Sequence, residues 1–283
     1  MTLARTRDLV DDAVAKGTAV LAFNVITLEH AEGIVAGLER AGSPGLLQVS
    51  ENAVRYRQGR PGPLLAACRE LAEQATVPVA LHLDHLQDLD LLRDGVAQAR
   101  VYGVSSVMVD AAHLPYDDNV ATTAALAADA HAAELWVEAE LGEVGGKDGA
   151  HAPGVRTDPD EAAAFVAATG VDGLAVAVGS VHAMTTATAH LDLDLVARLA
   201  QRVAVPLVLH GSSGVPPATL QDAVRAGIRK INVGTALNVA LTAQVRRALA
   251  ADDRLTDPRR YLAPARDAVA ATVAATCATI HAA

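Results

Sequence analysis

Residues 77–85 read VPVALHLDH, a candidate buried strand over 77–83 (VPVALHL) that runs into chemistry. Val77, Val79, Ala80, Leu81 and Leu83 make a short apolar run of the length a fully buried strand needs. His82, Asp84 and His85 then crowd its C-terminal end. Seven other runs are built alike: 19–25 (AVLAFNV), 45–50 (GLLQVS), 105–110 (SSVMVD), 135–141 (LWVEAEL), 173–179 (GLAVAVG), 205–210 (VPLVLH) and 229–233 (RKINV). Ala-rich segments stand between them. In 28–41, Ala31, Ile34, Val35 and Leu38 step by three and four, the spacing of one helix face. Segments 116–133, 159–169, 192–203 and 216–226 step likewise. Thr157-Asp158-Pro159 and Val215-Pro216-Pro217 are helix start signals. Residues 1–16 and 262–281 read as additional helices.

Eight strands alternating with helices predict an α/β fold, a closed (β/α)8 TIM barrel carrying extra N- and C-terminal helices. An open doubly wound sheet is the alternative. It would carry a Gly-rich turn after its first strand, and here that strand is followed by Asn24-Val25-Ile26-Thr27. The 283 residues are read as a single domain, 1–283.

Composition narrows the function. Apolar residues make up 51% and aromatics only 2%, so the core must be packed with Ala, Val and Leu. No uncharged apolar run reaches ~18 residues, the length of a membrane span. The start, MTLARTRDLVDDAV, turns acidic at once and has no secretory h-region. Cys68 and Cys277 make no disulfide framework, which fits a reducing, cytoplasmic location. A net charge of −10 argues against nucleic acid or an anionic membrane as partner. An anionic substrate must then be held by local donors.

Those donors collect at strand ends. Asn24 ends the first run, Ser50 the second, Asp110 the fourth, and Glu138 and Glu140 the fifth. His182 follows the sixth, His210 ends the seventh, and Asn232 to Thr235 end the eighth. A barrel brings all these ends to one face, where such enzymes build active sites. His85, His182 and His210 lie on three separate strand ends, so spacing alone cannot show that they meet. If they do, three neutral imidazoles around an open position make a catalytic Zn²⁺ site. Asp84 then stands beside it as acid and base, and Glu140 is a further ligand. The bland reading is three unrelated members of the chain's 10 histidines. The turns His210-Gly211-Ser212-Ser213-Gly214 and Asn232-Val233-Gly234-Thr235 can offer backbone N–H groups to a phosphate. Lysines occur only at 16, 147 and 230. Lys230 is read as lying at the start of the eighth strand, away from the catalytic face. A Schiff-base mechanism therefore lacks its amine, and a metal electrophile is the more economical electron sink.

Taken with AFNV (22–25), VSEN (49–52), LHLDH (81–85), VEAELGEVGGKDG (137–149), GVDGLAVAVGSVHAM (170–184), LVLHGSSGV (207–215) and DPRRYLAPARDAV (257–269), the chain resembles the class II, zinc-dependent ketose-bisphosphate aldolases of the fructose-bisphosphate and tagatose-bisphosphate type. The resemblance implies Zn²⁺, or another divalent metal, on His85, His182 and His210. It implies Glu140 as an acid holding the metal in a resting position and Asp110 as an acid at a neighbouring metal position. Asp84 matches the proton-transfer residue. Asp148 stands where a longer Glu usually exchanges the carbon proton, in a 142–154 loop with five glycines. Gly211, Ser213, Asn232 and Thr235 match the cradle of the dihydroxyacetone-phosphate end. Asn24 and Ser50 match substrate contacts. Arg259 matches an arginine that reaches the second phosphate from a neighbouring subunit, so the expected assembly is a homodimer or homotetramer.

The chain departs from the pattern at several positions. His182-Ala183-Met184-Thr185 replaces His-Gly-x-Tyr, which bears on phosphate or monovalent-cation approach. Asp110-Ala111-Ala112 replaces Asp-Gly-Ser, Ser212 stands in the middle of the cradle, and Gly234 precedes Thr235. The expected activity is reversible aldol cleavage of a ketose bisphosphate, foremost fructose 1,6-bisphosphate, to dihydroxyacetone phosphate and an aldehyde. The alternatives are a specialised aldolase for tagatose bisphosphate or another ketose phosphate, and a degenerate sugar-phosphate-binding homologue.

Overall fold

A computed structural model describes residues 3–141, 156–181 and 184–282. Its elements run α1 (Thr6–Lys16), β1 (Val20–Asn24), α2 (Leu28–Ala41), β2 (Gly45–Ser50), α3 (Glu51–Tyr56), α4 (Gly62–Gln74), β3 (Val79–Leu86), α5 (Leu89–Tyr102), β4 (Val104–Val109) and α6 (Tyr116–Ala132). They continue with β5 (Trp136–Leu141), α7 (Pro159–Thr169), β6 (Gly173–Val176), α8 (Leu193–Arg202), β7 (Leu207–Leu209), α9 (Pro217–Ala226), β8 (Ile228–Val233), α10 (Thr235–Ala251) and α11 (Arg259–His281). The eight strands are parallel and close into a barrel in chain order. Closure joins β1 to β8 through Val20↔Lys230 and Ala22↔Asn232.

The strand limits differ from the sequence reading for local reasons. Runs 77–83 and 205–210 lose their first residues because Pro78 and Pro206 have no N–H to give a ladder. Their carbonyls still accept, from Gly45 N and Leu174 N. Run 173–179 stops at Val176 because Thr157 captures the next residue on both sides. Ala177 N donates to Thr157 Oγ1 at 2.8 Å, and Thr157 N donates to Ala177 O at 3.0 Å. Helix α7 starts at the signal read from sequence, with Asp158 accepting from Asp160 N and Glu161 N. The C-terminal helix begins at Arg259, three residues earlier than expected, and the N-terminal one at Thr6.

The core has two parts. The larger lies between strands and helices, where Phe23, Ile34, Leu38, Leu65, Leu92 and Phe165 are fully buried. The smaller lies inside the barrel. Val20, Ala22, Leu46, Ala80, Met108, Trp136, Ala175 and Val208 meet Leu9, Val10 and Ala13 of α1 there. Thr6 ties α1 to the start of β4 through Ser105 and Ser106. Helix α1 therefore closes the end of the barrel opposite the functional residues. Among the described residues, no helix is long and apolar enough to cross a membrane. Cys68 and Cys277 are free and buried, and burial pushes the Cys68 thiol up to about 12.

Helix α11 returns across the outside to pack on α2. Gly37 makes the close approach possible, since a Cβ there would come within 2.6 Å of Ala270 O and of Val273 Cβ. Gly37→Ala is therefore expected to lower stability by about 1–3 kcal/mol through overpacking. The test is the urea midpoint at unchanged m-value; a wild-type midpoint would show that the two helices separate without cost.

Candidate active site

Successive strand residues face opposite sides of a sheet. Asp84 and His85 are successive, yet both line one cavity. The backbone resolves the conflict at His85, whose φ is 49°, a left-handed conformation rare for a residue with a side chain. The β3–β4 register shifts between Leu83 and Leu86 at the same place. This local bulge turns His85 inward beside Asp84. The His85 and His210 rings come within 4.7 Å, edge to face.

His85, Glu140 and His210, from β3, β5 and the end of β7, each offer a ligand atom within 4.8 Å of the others. All three are buried. Two imidazoles and a carboxylate, nitrogen and oxygen donors of intermediate softness, suit a divalent transition ion. His182 lies outside the described residues, as does Asp148. Asp110 is not part of the three-residue group. Its Oδ2 is 2.8 Å from His85 Nδ1 and accepts from Gln87 Nε2 at 3.2 Å. It thus sits behind His85, with Nδ1 turned towards it.

His210 is held from two sides. Nε2 is 2.8 Å from Glu138 Oε1, and Nδ1 is 3.4 Å from Glu140 Oε2. Burial works against a charged ring, but hydrogen bonds to Glu138 and Glu140 and their charges outweigh it, raising His210 to about 9. A ring holding its proton between carboxylates is placed to exchange that proton for a cation. Glu138 is itself kept well below the usual carboxylate range: burial opposes ionisation, and Lys230 and His210 overcome it.

Lys230 corrects the sequence reading. It is fully buried inside the barrel, not remote from the site. Its Nζ lies 2.8 Å from Glu138 Oε2 and donates to Asn232 Oδ1 at 2.6 Å. Strand alternation was the available signal: 230 and 232 share a face, as do 138 and 140. His82 likewise points beneath the site, with Nδ1 2.8 Å from Ser106 Oγ. Burial, then the Lys230 charge, lowers it to about 3, so it is neutral.

Asp84 accepts from Asn24 Nδ2 at 3.0 Å and from Asn232 Nδ2 at 3.4 Å. Asn24 is oriented in turn by Gln48 Nε2, which donates to its Oδ1 at 2.8 Å. Gln48 is a functional neighbour that the sequence did not single out. Gly234 leaves room for this arrangement, since a Cβ there would lie 2.8 Å from Asn24 Oδ1.

These residues line a cavity of about 610 Å³, within the range of small-ligand pockets. Gly211, Ser213, Gly234 and Thr235 form one wall, at the N-terminal end of α10. Ser213 Oγ accepts from Ala236 N at 3.0 Å. Ser212 turns inward, its hydroxyl donating to Asn232 O at 2.6 Å. Ser50 caps α3, accepting from Ala53 N at 3.3 Å, and also lines the cavity. Arg259 begins α11 and is not among the lining residues. It pairs with Asp257 at 2.8 Å, with its side chain 89% exposed.

A family model described as fructose-bisphosphate aldolase class-II matches residues 4–283. A relative in Bacillus subtilis, named a probable fructose-bisphosphate aldolase, is 40% identical over 277 residues, covering 96% of this chain and 95% of the relative. The fructose-bisphosphate aldolase of Geobacillus stearothermophilus is 39% identical with the same coverage. Among solved structures, the YdjI aldolase of Escherichia coli K12 superposes with a TM-score of 0.84 at 30% identity, covering 99% of this chain and 97% of that one.

The donor set predicts one tightly held divalent ion per chain. Equilibrium dialysis against Zn²⁺ or Co²⁺ should show it. His210→Ala should weaken it by more than the roughly 10–100-fold typical of losing an outer partner. His113→Ala, at an exposed position, should leave it intact. Equal binding by both variants would refute the assigned centre.

Proposed function

The chain belongs to the class II fructose-bisphosphate aldolase family, and from that premise we propose that it cleaves and re-forms the C3–C4 bond of fructose 1,6-bisphosphate with zinc as its metal. The observation that carries the reading is the convergence of His85, Glu140 and His210, with His85 lining one cavity together with Asp84. His85 and His210 would hold the metal with His182, and Glu140 would hold it at rest. When bound, the ion supplies a Lewis acid that polarises the C2 carbonyl and stabilises negative charge as the bond breaks.

The protein's own residues supply the rest. Asp84 takes the C4 hydroxyl proton during cleavage and returns it during condensation. The amides of Asn24 and Asn232 hold its two oxygens and keep it aimed at the reacting centre. Gly211, Ser213 and Thr235 receive the dihydroxyacetone-phosphate end at the positive end of α10. Asn24 and Ser50 contact the chain of the sugar. Asp148, in the 142–154 loop, exchanges the proton at the new carbanion carbon. Arg259 serves the second phosphate of a neighbouring subunit in a cytoplasmic homodimer or homotetramer, a role supported by its exposure at the start of α11.

EDTA should abolish turnover, zinc or cobalt should restore it, and borohydride with substrate should leave the protein unlabelled. Trapping by borohydride would reject the metal mechanism in favour of a lysine Schiff base. Asp84→Ala should reduce cleavage about 10²–10⁴-fold with metal retained. A ketose-phosphate panel compared by kcat/KM decides the substrate. Preference for tagatose 1,6-bisphosphate or another donor would replace fructose 1,6-bisphosphate with the specialised reading.

A further inference from the structure

Inside the barrel, below the metal-binding group, Lys230 touches two residues that lead to different parts of the site. Its Nζ lies 2.8 Å from Glu138 Oε2, and Glu138 Oε1 lies 2.8 Å from His210 Nε2. Its second contact is Asn232 Oδ1 at 2.6 Å, and Asn232 Nδ2 lies 3.4 Å from Asp84 Oδ1. Lys230, Glu138 and His210 are all fully buried.

We propose that Lys230 is a positioning residue for both halves of the site: through Glu138 it sets which nitrogen of His210 faces the metal, and through Asn232 it aims the amide that holds Asp84. The inference rests on the reading of His210 as a metal ligand and Asp84 as the proton carrier. Its first arm follows from donor chemistry. An ammonium group only donates, and an ionised carboxylate only accepts. Ion pairing with Lys230 through Oε2 keeps Glu138 ionised, so its other oxygen meets His210 Nε2 as an acceptor. The ring hydrogen is thereby kept at Nε2, and the lone pair of the neutral ring is at Nδ1. Nδ1 is the nitrogen on the Glu140 side, 3.4 Å from its Oε2. A carboxylate behind a ligating histidine fixes ring orientation in this way and raises its basicity.

The second arm follows from the same rule. Because Lys230 can only donate, the atom of Asn232 against it must be the carbonyl oxygen. That leaves Nδ2 pointing up into the site. Nδ2 also lies 3.1 Å from His210 Nε2, but the hydrogen on that ring nitrogen is committed to Glu138. One amide hydrogen is therefore left for Asp84 Oδ1. Neither Lys230 nor Glu138 lines the cavity, so both act through other residues.

A simpler role for such a pair is linking β5 to β8 across the barrel and nothing more. The variants Glu138→Gln, Lys230→Met and the two combined separate these roles in the full-length protein. Lys230→Met leaves a buried anion without its partner and is the variant most exposed to misfolding. The combined variant carries neither charge of the pair, so it is the one on which the outcome is decided, with Glu138→Gln as the second. Zinc affinity, measured by competition with a chromophoric chelator, reads the Glu138 arm. It should fall about 10–100-fold in the combined variant, and no further than in Glu138→Gln alone, because both changes act along one path. The ¹⁵N shifts of the His210 ring, assigned against His210→Ala in the zinc-loaded protein where the ring is neutral, should show Nε2–H with Nδ1 ligated in the parent and a mixture of the two ligation modes in Glu138→Gln. At saturating zinc, kcat reads the Asn232 arm. It should fall at least about tenfold in the combined variant with KM little changed, short of the roughly 10²–10⁴-fold expected for losing the proton carrier itself, because Asp84 remains. A folded combined variant with parental zinc affinity overturns the first arm, and one with parental kcat overturns the second. Failure of the parent itself to bind zinc would instead refute the metal reading on which both arms rest.

Discussion

The site depends on one backbone conformation. A regular strand cannot send adjacent side chains to the same side, because the pleat alternates them. Asp84 and His85 are adjacent and both line the same cavity. The φ of 49° at His85 and the register shift in β3 reconcile these facts. Such a conformation costs of order 1–3 kcal/mol and persists only where its surroundings over-determine it. Those surroundings are visible. Asp110 holds His85 Nδ1, and Glu51 accepts from the backbone of Gln87 and Asp88 just beyond the bulge. Without that turn the Asp84 carboxylate and the His85 imidazole would lie on opposite faces of the sheet.

Below that point the barrel is layered by polarity. Helix α1 and the inward residues of the strand starts make a dry plug. A middle belt of His82, Ser106, Glu138 and Lys230 is buried, and each member is hydrogen-bonded or ion-paired. The groups that line the cavity form the top layer. A buried charge pair contributes little net stability and is costly to break from one side. Its value here lies in orientation. Lys230 stands beneath the residues that must be aimed, in contact with Glu138 on one side and Asn232 on the other.

Much of this was legible in the chain. Eight apolar runs separated by helical spacing are enough for the barrel, because each βα unit carries its own local periodicity. The polar ends of those runs were also legible, since ladder pairing of parallel strands brings their ends to one rim. Strand limits were less so. Pro78, Pro206 and the Thr157 hydroxyl shorten strands through hydrogen bonds that apolarity does not register. Lys230 was misplaced because its position near the start of a strand hid how far a four-carbon side chain reaches along the barrel axis.

The amino-acid sequence by itself determined the fold class, the face on which the polar groups gather, and the residue types available there. Each follows from patterns that repeat within a few residues. The tertiary structure alone decided that His85, Glu140 and His210 meet, that Asp110 stands behind His85, and that Lys230 and Glu138 lie under His210. Those relations join residues tens of positions apart. They depend on barrel closure and on one left-handed residue, and neither distance nor hydrogen direction across a barrel is written in local spacing.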